Sequence, residues 1–315
     1  MYASFVCATV RWFYWCLATP KDATVYDKDV FDKIRTVVGG RVRMVATGSA
    51  PLSPETHDFI RAALGCHVIQ GYGLTETCAA ATCMEFTDNT TGGVGAPVSG
   101  AYIRLADWTQ GHYLVKENKG EIILGGDMVA RGYFKNPQLT EECFFEEGGI
   151  RWFRTGDIGE VTPLGSFKII DRKKDLVKLQ HGEYVSLGKI ETELKTNQFV
   201  EHICVCGSAF QTYLVALVQV CEKNLKILAR EADKNPQRKI RELCADRDIT
   251  KTLLANLQMQ LRKRGFQRIE IPQKLTLCPD EWTPASELVT AAFKLRRKQI
   301  EERYKAEIDH MYSSN

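Results

Sequence analysis

Apolar and polar positions along this chain change period several times, and each change marks an element. Residues 42–46 form a short apolar run that reads as a strand. Ser53 is a good N-cap, Pro54 suits the first helical position, and a helix over 55–64 stops at Gly65. Residues 68–70 read as a second strand, so Gly48 and Gly71 both follow strand ends, where open α/β sheets bind ligands. From Gly95 the pattern turns β-rich, with strands over 102–105, 120–124 and 158–161 separated by Gly, Asp and Asn turns. After Ile170 a smaller α/β unit begins at Asp171. In it Leu187, Ile190 and Leu194 share a helical face, 203–206 and 214–220 read as strands, and long polar helices follow Glu222.

Length and composition fit this division. A chain of 315 residues favours two globular units, and 44% apolar with 26% charged residues is ordinary for a packed, water-exposed protein. The formal net charge of +3 is too small to argue for nucleic acid. Eleven cysteines lack the paired spacing of a zinc site, which leaves free thiols in a reducing compartment as the simplest account. Residues 3–18 hold Phe5, Val6, Val10, Trp12, Phe13, Tyr14, Trp15 and Leu17 but are interrupted by Arg11. That run is shorter than the roughly 20 apolar residues that span a bilayer and lacks a cleavage site, so a core helix or one lying on a membrane surface is expected.

Candidate chemistry gathers in three segments. Arg154-Thr155-Gly156-Asp157 reads as a polar turn, and residues 169–178 carry Asp171, Arg172, Lys173, Lys174, Asp175 and Lys178. The carboxylate of Asp157 can accept from both hydroxyls of a ribose, and Arg172 offers a planar fork of donors. Alone, a Thr-Gly-Asp turn or a basic run is commonplace. The third segment, Gln70 to Thr77, adds glycines for close backbone approach and Tyr72 as a plate for a base. It also supplies Thr75 for a phosphate oxygen and Glu76 as a hard ligand for Mg²⁺. Together they imply a nucleotide.

These segments resemble a known family. Thr47-Gly48-Ser49-Ala50-Pro51-Leu52, Gly71-Tyr72-Gly73-Leu74-Thr75-Glu76, Gly120-Glu121-Ile122-Ile123-Leu124-Gly125, Thr155-Gly156-Asp157 and Asp171-Arg172-Lys173-Lys174-Asp175 resemble, in order, the motifs of acyl-adenylate-forming enzymes. Trp152-Phe153-Arg154 and the stretch from Gly182 to Glu191 resemble long-chain fatty acid CoA ligases, most of all the animal branch that prefers polyunsaturated chains. The resemblance runs over about 31–312 and implies an α/β fold. Residues 1–170 would be part of a large AMP-binding domain, an α/β sheet plus a β-rich subdomain, and 171–315 a small mobile α/β C-terminal domain.

The resemblance also implies roles. Gly48, Ser49, Ala50, Gly71 and Tyr72 would line the adenine, Thr75 would bind the α-phosphate, Glu76 would hold Mg²⁺, and Asp157 with Arg172 would fix the ribose. Lys174 matches the hinge position, and Lys178 with Gly182 would form part of the face used in thioester formation. Lys294 is the nearest candidate for the adenylating lysine, although Glu287 stands where the family's Pro-x-x-x-x-Gly-Lys segment has glycine. ATP, Mg²⁺ and CoA would be the cofactors, a long-chain fatty acid the substrate, and the cytosolic face of the endoplasmic reticulum or another organelle membrane the location.

The family's Ser/Thr/Gly-rich phosphate loop with its lysine has no counterpart before Thr47, so the chain reads as the C-terminal half of a longer ligase. Residues 90–95 lack a lysine and read as an ordinary turn. A catalytically inactive short isoform that only binds AMP or CoA is the alternative. An unrelated kinase or transferase is disfavoured by the lack of a Gly-x-x-x-x-Gly-Lys-Ser/Thr run. A basic helix over 294–305 is expected to be a solvated face, or more sharply a contact for CoA phosphates or anionic lipid, and His181 and His202 are expected to be structural.

Overall fold

The computed structural model describes residues 31–50 and 52–313. The apolar segment 3–18 and Pro51 lie outside them. The chain divides into two compact units, with the division between Ile170 and Asp171.

The first unit opens with helix α1, Asp32–Val37, strand β1, Met44–Thr47, and helix α2, Pro54–Leu64. Helix α2 starts and stops for local reasons. The Ser53 side chain accepts from the Thr56 amide, Pro54 occupies the first turn, and Gly65 closes the helix at φ 59°. Strand β2, His67–Tyr72, runs parallel to β1 and pairs with β3, Thr82–Cys83, which pairs with β4, Ala96–Pro97. Gly71 therefore lies inside β2, opposite Cys83, rather than after a strand end. The expected strand over 68–70 is too short because the ladder to β3 carries it on.

A second sheet holds β5, Tyr102–Ala106, β6, Lys119–Gly125, β7, Phe144–Glu147, β8, Ile150–Val161, and β9, Phe167–Arg172, with helix α3, Pro137–Cys143, before β7. Its order is β5-β6-β8-β7, with β9 also on β8. Here the structure corrects the sequence reading. Residues 154–157 are not a turn; they sit in the middle of the twelve-residue β8. Ile123 pairs with Arg154 and Glu121 with Ile158, so one residue of β6 faces three of β8, a bulge. Buried Trp152, Phe153 and Ile158 on either side carry the ladder through it.

The second unit contains the hairpin β10, Leu176–Lys178, and β11, Tyr184–Ser186, followed by helix α4, Leu187–Leu194. Strands β12, His202–Cys206, and β13, Val215–Gln219, are antiparallel. Helices α5, Glu222–Glu231, α6, Ile240–Cys244, and α7, Arg247–Lys263, precede β14, Lys274–Cys278, which is parallel to β13. Helices α8, Arg297–Arg303, and α9, Lys305–Ser313, end the described chain.

The three-stranded sheet is covered on both faces, which is why β12 and β13 read as apolar runs; β14, with Lys274 and Thr276, was not expected from the sequence. Ile203, Val205, Ala216, Val218, Leu275 and Leu277 face α4, α5 and α7. Cys204, Cys206, Val215 and Leu217 face Trp282 and the last two helices. The helices after Glu222 are amphipathic rather than polar throughout: α7 buries Ile249, Leu253, Leu257 and Leu261 at helical spacing. The nine described cysteines are free thiols.

The basic helix expected over 294–305 begins only at Arg297, and a separate helix follows Tyr304. Arg297 is not a solvated residue. Its Nη2 lies 2.9 and 3.0 Å from the two carboxylate oxygens of Glu191, and its Nη1 donates to the Val205 carbonyl at 2.8 Å. Its Nε lies 3.8 Å from Asp175. Glu191 also accepts from the Val205 amide at 2.8 Å. One ion pair thus joins α4, β12, α8 and the start of the unit. Removing one member of a buried pair strands the other charge, so Arg297→Met is expected to destabilise the second unit by about 3–5 kcal/mol in urea unfolding. Adding Glu191→Gln, which keeps an acceptor for Val205, should recover much of that loss.

Candidate functional site

Strand β1 lies beside β2 with Thr47 level with Gln70, so the chain leaving β1 at Gly48 passes close to Gly71. A Cβ on Gly48 would lie 3.1 Å from the Gly71 carbonyl oxygen, and one on Gly71 would lie 3.0 Å from that of Thr82. Only glycine passes there without pushing the backbones apart. Ser49 follows in the left-handed region at φ 68°, and Gly48, Ser49 and Ala50 are exposed.

After β2 the chain makes a tight loop over 73–79 around a single 3-10 turn, Thr75–Thr77. Buried Thr77 ties it: its hydroxyl accepts from the Leu74 amide at 3.1 Å and donates to the Leu74 carbonyl at 3.2 Å. Cys78 and Ala79 both take positive φ to close the loop, and the Ala81 amide returns to the Tyr72 carbonyl at 2.8 Å. A Cβ on Gly73 would lie 1.5 Å from the Ala79 carbonyl oxygen. This loop leaves Thr75 exposed and Glu76 half-buried.

The bulge in β8 aims Asp157 at this loop. Gly156 takes φ 70°, and its amide donates to the buried Glu121 carboxylate at 3.1 Å. The Thr155 hydroxyl donates to the Ile122 carbonyl at 2.7 Å and accepts from the Asp157 amide at 3.0 Å. The Asp157 side chain, 2% exposed, accepts from the Tyr72 hydroxyl at 2.7 Å. Glu76 has the matching arrangement, accepting from the Tyr133 hydroxyl at 2.7 Å. Tyr133 was missed by sequence reasoning; its only signal is the glycine that precedes it.

Two further polar atoms face this region. Gln70 Oε1 and Thr82 Oγ1 are buried without a hydrogen-bond partner among the described residues. Thr82 stands directly opposite Tyr72, and Gln70 is two residues along β2 on the same face. Buried polar atoms seldom stay unpaired, so this face suits a polar ligand or water.

The remaining sequence-predicted residues lie in the second unit. Arg172 ends β9 and is exposed, and Lys174 is exposed in the 3-10 turn Lys173–Asp175. The hairpin gathers Lys178, Gly182 and Tyr184: Lys178 Nζ is 5.7 Å from the centre of the Tyr184 ring, and Gly182 takes φ 96° to make the turn. Lys294 is exposed on a small loop rather than in a helix. Val289 bridges Leu295, and the Lys294 amide donates to the Thr290 hydroxyl at 3.1 Å. The neighbouring Phe293 stacks on His202, which stacks on Trp282. Burial lowers the His202 pKa, keeping the ring neutral in the stack.

Asp171 opens the unit with an unusual carboxyl. Burial raises its pKa to about 6, despite the Arg172 amide that donates to it at 2.8 Å. Among the described residues no group of three or more His, Cys, Asp or Glu side chains could hold a metal ion. Glu76 alone fits a Mg²⁺ that takes its other ligands from substrate phosphates and water.

Comparison with known proteins bears on the family and the fold. Residues 3–134 match the AMP-binding enzyme family. The chain is 42% identical over 303 residues to long chain acyl-CoA synthetase 8 of Arabidopsis thaliana, covering 95% of this chain and 42% of that protein. It is 35% identical over 296 residues to human long-chain-fatty-acid–CoA ligase 1, covering 93% and 41%. The chain thus spans about two fifths of the length of these curated relatives. Among solved structures, the A domain of carboxylic acid reductase from Segniliparus rugosus, in complex with AMP and a co-purified carboxylic acid, matches with a TM-score of 0.73 and 27% identity. That match covers 90% of this chain and 41% of that one. The mixed α/β architecture with several sheets is that of adenylate-forming enzymes.

Two outcomes follow from the local geometry. Gly73→Ala is expected to destabilise the first unit by about 1–3 kcal/mol, because the new methyl must displace Ala79; its thermal transition should fall relative to Gly93→Ala, where a Cβ would meet only the Phe167 carbonyl oxygen, at 3.6 Å. For Asp171, the raised folded pKa means the folded state holds the proton more tightly than the unfolded chain. Its contribution to stability is therefore present at low pH and lost as pH rises through about 6. Asp171→Asn should flatten the free energy of unfolding, measured in urea, against pH between about 4 and 7, by roughly 1–3 kcal/mol across that window.

Proposed function

Taking the chain as a homologue of long-chain acyl-CoA synthetases that carries an AMP-binding segment, we propose that it forms the nucleotide-binding and C-terminal portion of a long-chain fatty acid–CoA ligase. The observation that carries this reading is the approach of Tyr72 to Asp157 at 2.7 Å, which unites two of the motifs on one face of the first unit. A relative of known structure binds AMP and a carboxylic acid, the two groups that an acyl-adenylate joins.

In this reading Gly48, Ser49, Ala50, Gly71 and Tyr72 receive the adenine, and Asp157 and Arg172 the ribose. A ribose reaches the covered Asp157 by exchange: its hydroxyls donate in place of the Tyr72 phenol, and the released ring lies against the base. One donor to the carboxylate replaces another, so the exchange costs little hydrogen-bond energy. Thr75, exposed at the head of the loop, donates to the α-phosphate.

Chemistry then proceeds in two displacements. A carboxylate oxygen of the fatty acid attacks the α-phosphorus of ATP and pyrophosphate leaves; the CoA sulfur next attacks the acyl carbonyl, loses its proton, and AMP leaves. Bringing two anions together is the barrier, so cations must gather where charge develops. Mg²⁺ held by Glu76 supplies that screening when bound. Lys294 serves the first displacement. Lys178 and Gly182 serve the second, with Lys174 as the pivot between them. Long-chain fatty acids partition into lipid, and the reading takes the cytosolic face of the endoplasmic reticulum or another organelle membrane as the location. No described helix is long and apolar enough to cross one.

Calorimetric titration with AMP tests the assignment. The chain should bind AMP, and Asp157→Ala should weaken binding by about 1.5–3 kcal/mol, or roughly 10–150-fold. Equal affinity in the variant removes Asp157 from the site. Binding without ATP-dependent acyl-CoA formation favours a binding-only role for the chain by itself.

A further inference from the structure

Glu76 is held from outside its own loop. The loop after β6 grips it twice: the Ala130 amide donates to its main-chain carbonyl at 2.8 Å, and the Tyr133 hydroxyl donates to its Oε1 at 2.7 Å. Oε2 of the same carboxylate has no hydrogen-bond partner among the described residues.

The grip is rigid. Arg151 in β8 donates from Nε to the Ala130 carbonyl at 2.9 Å and from Nη2 to that of Arg131. The Tyr133 amide donates to the Thr140 hydroxyl at 2.9 Å. Its ring stands edge-on to Phe144 at 5.4 Å, and Phe144 packs on Phe153 of β8 at 4.8 Å. Gly132 permits the approach: it takes φ 145°, and a Cβ there would lie 2.3 Å from Thr140 Cγ2. The phenol is thus aimed at Glu76 before any ligand arrives, and little side-chain freedom remains to be lost.

We infer that Tyr133 is the positioning residue of Glu76, fixing one carboxylate oxygen so that the other is presented to a divalent cation accompanying ATP. This rests on the adenylate-forming reading of the site. The choice of donor supports it. A lysine or arginine in this place would orient the carboxylate but cancel the charge that a cation needs, whereas a phenol orients it and leaves the full negative charge. Ligand carboxylates are commonly oriented by such outer hydrogen bonds, whose loss costs about 10–100-fold in metal affinity.

The test is Mn²⁺ uptake by the purified chain in the presence of ATP, followed by water-proton relaxation, with a metal-free AMP titration alongside. Tyr133→Phe keeps the ring against Phe144 and removes only the donor. It should weaken Mn²⁺ binding about 10–100-fold while leaving AMP affinity and melting temperature unchanged, and Glu76→Gln should abolish Mn²⁺ uptake. Mn²⁺ affinity within about twofold of wild type in Tyr133→Phe overturns the inference. So does a wild-type chain that binds AMP but takes up no Mn²⁺ with ATP. A folded wild-type chain that binds no AMP overturns the nucleotide reading itself, and this inference with it.

Discussion

The bond from Tyr72 to Asp157 ties together two segments 85 residues apart, and the geometry of the first unit's site depends on it. Each partner has its own local reason to be there. Tyr72 ends β2 just before a loop that only glycine at 73 can enter, and Asp157 leaves a bulge that only a left-handed residue at 156 can form. Because both backbones are fixed separately, the side chains meet without a search. The second phenol–carboxylate pair, Tyr133 with Glu76, repeats the device with the roles crossed: here the loop supplies the acid and the outer strand's neighbours supply the donor. Strand β8 supports both, through Asp157 itself and through Phe153 under Phe144.

The second unit is organised around charge where the first uses neutral donors. Arg297 and Glu191 meet in the interior with a backbone carbonyl and amide of Val205 completing their bonds. A buried pair of this kind adds little net stability over apolar packing, but it tolerates few alternative arrangements of the elements that carry it. The loop bearing Lys294 ends at the residues just before Arg297, and its tip rests on the His202–Trp282 stack. A lysine on so small a loop is held at both ends while its ammonium stays in water.

How much was legible in the sequence followed the range of the interactions. Helix α2 could be read to within a residue because Ser53, Pro54 and Gly65 act on their immediate neighbours. Two strands of the covered sheet, β12 and β13, announced themselves as apolar runs, whereas β14 did not, because Lys274 and Thr276 interrupt it. Arg297 did not, because its partner Glu191 lies 106 residues away and a basic run looks solvated from its own neighbourhood. The bulge was misread for a related reason: Thr-Gly-Asp has turn chemistry, and only pairing with β6 keeps it within a strand. Tyr133 was invisible because a tyrosine after a glycine carries no local signal; its importance arises from the carboxylate 57 positions earlier.

The bulge in β8 sets a rule for length variation. From Glu121 to Ile123 the partner strand advances two residues while β8 advances four, from Ile158 back to Arg154. Both steps are even, so the pleat stays in phase across the irregularity. Removing one residue from 155–157 would leave two residues of β8 facing Ile122, an ordinary bulge, whereas removing two would leave an unbroken ladder. Either shorter form would keep the pairing of β6 with β8 while taking away the left-handed turn at Gly156 that aims the Asp157 carboxylate at Tyr72.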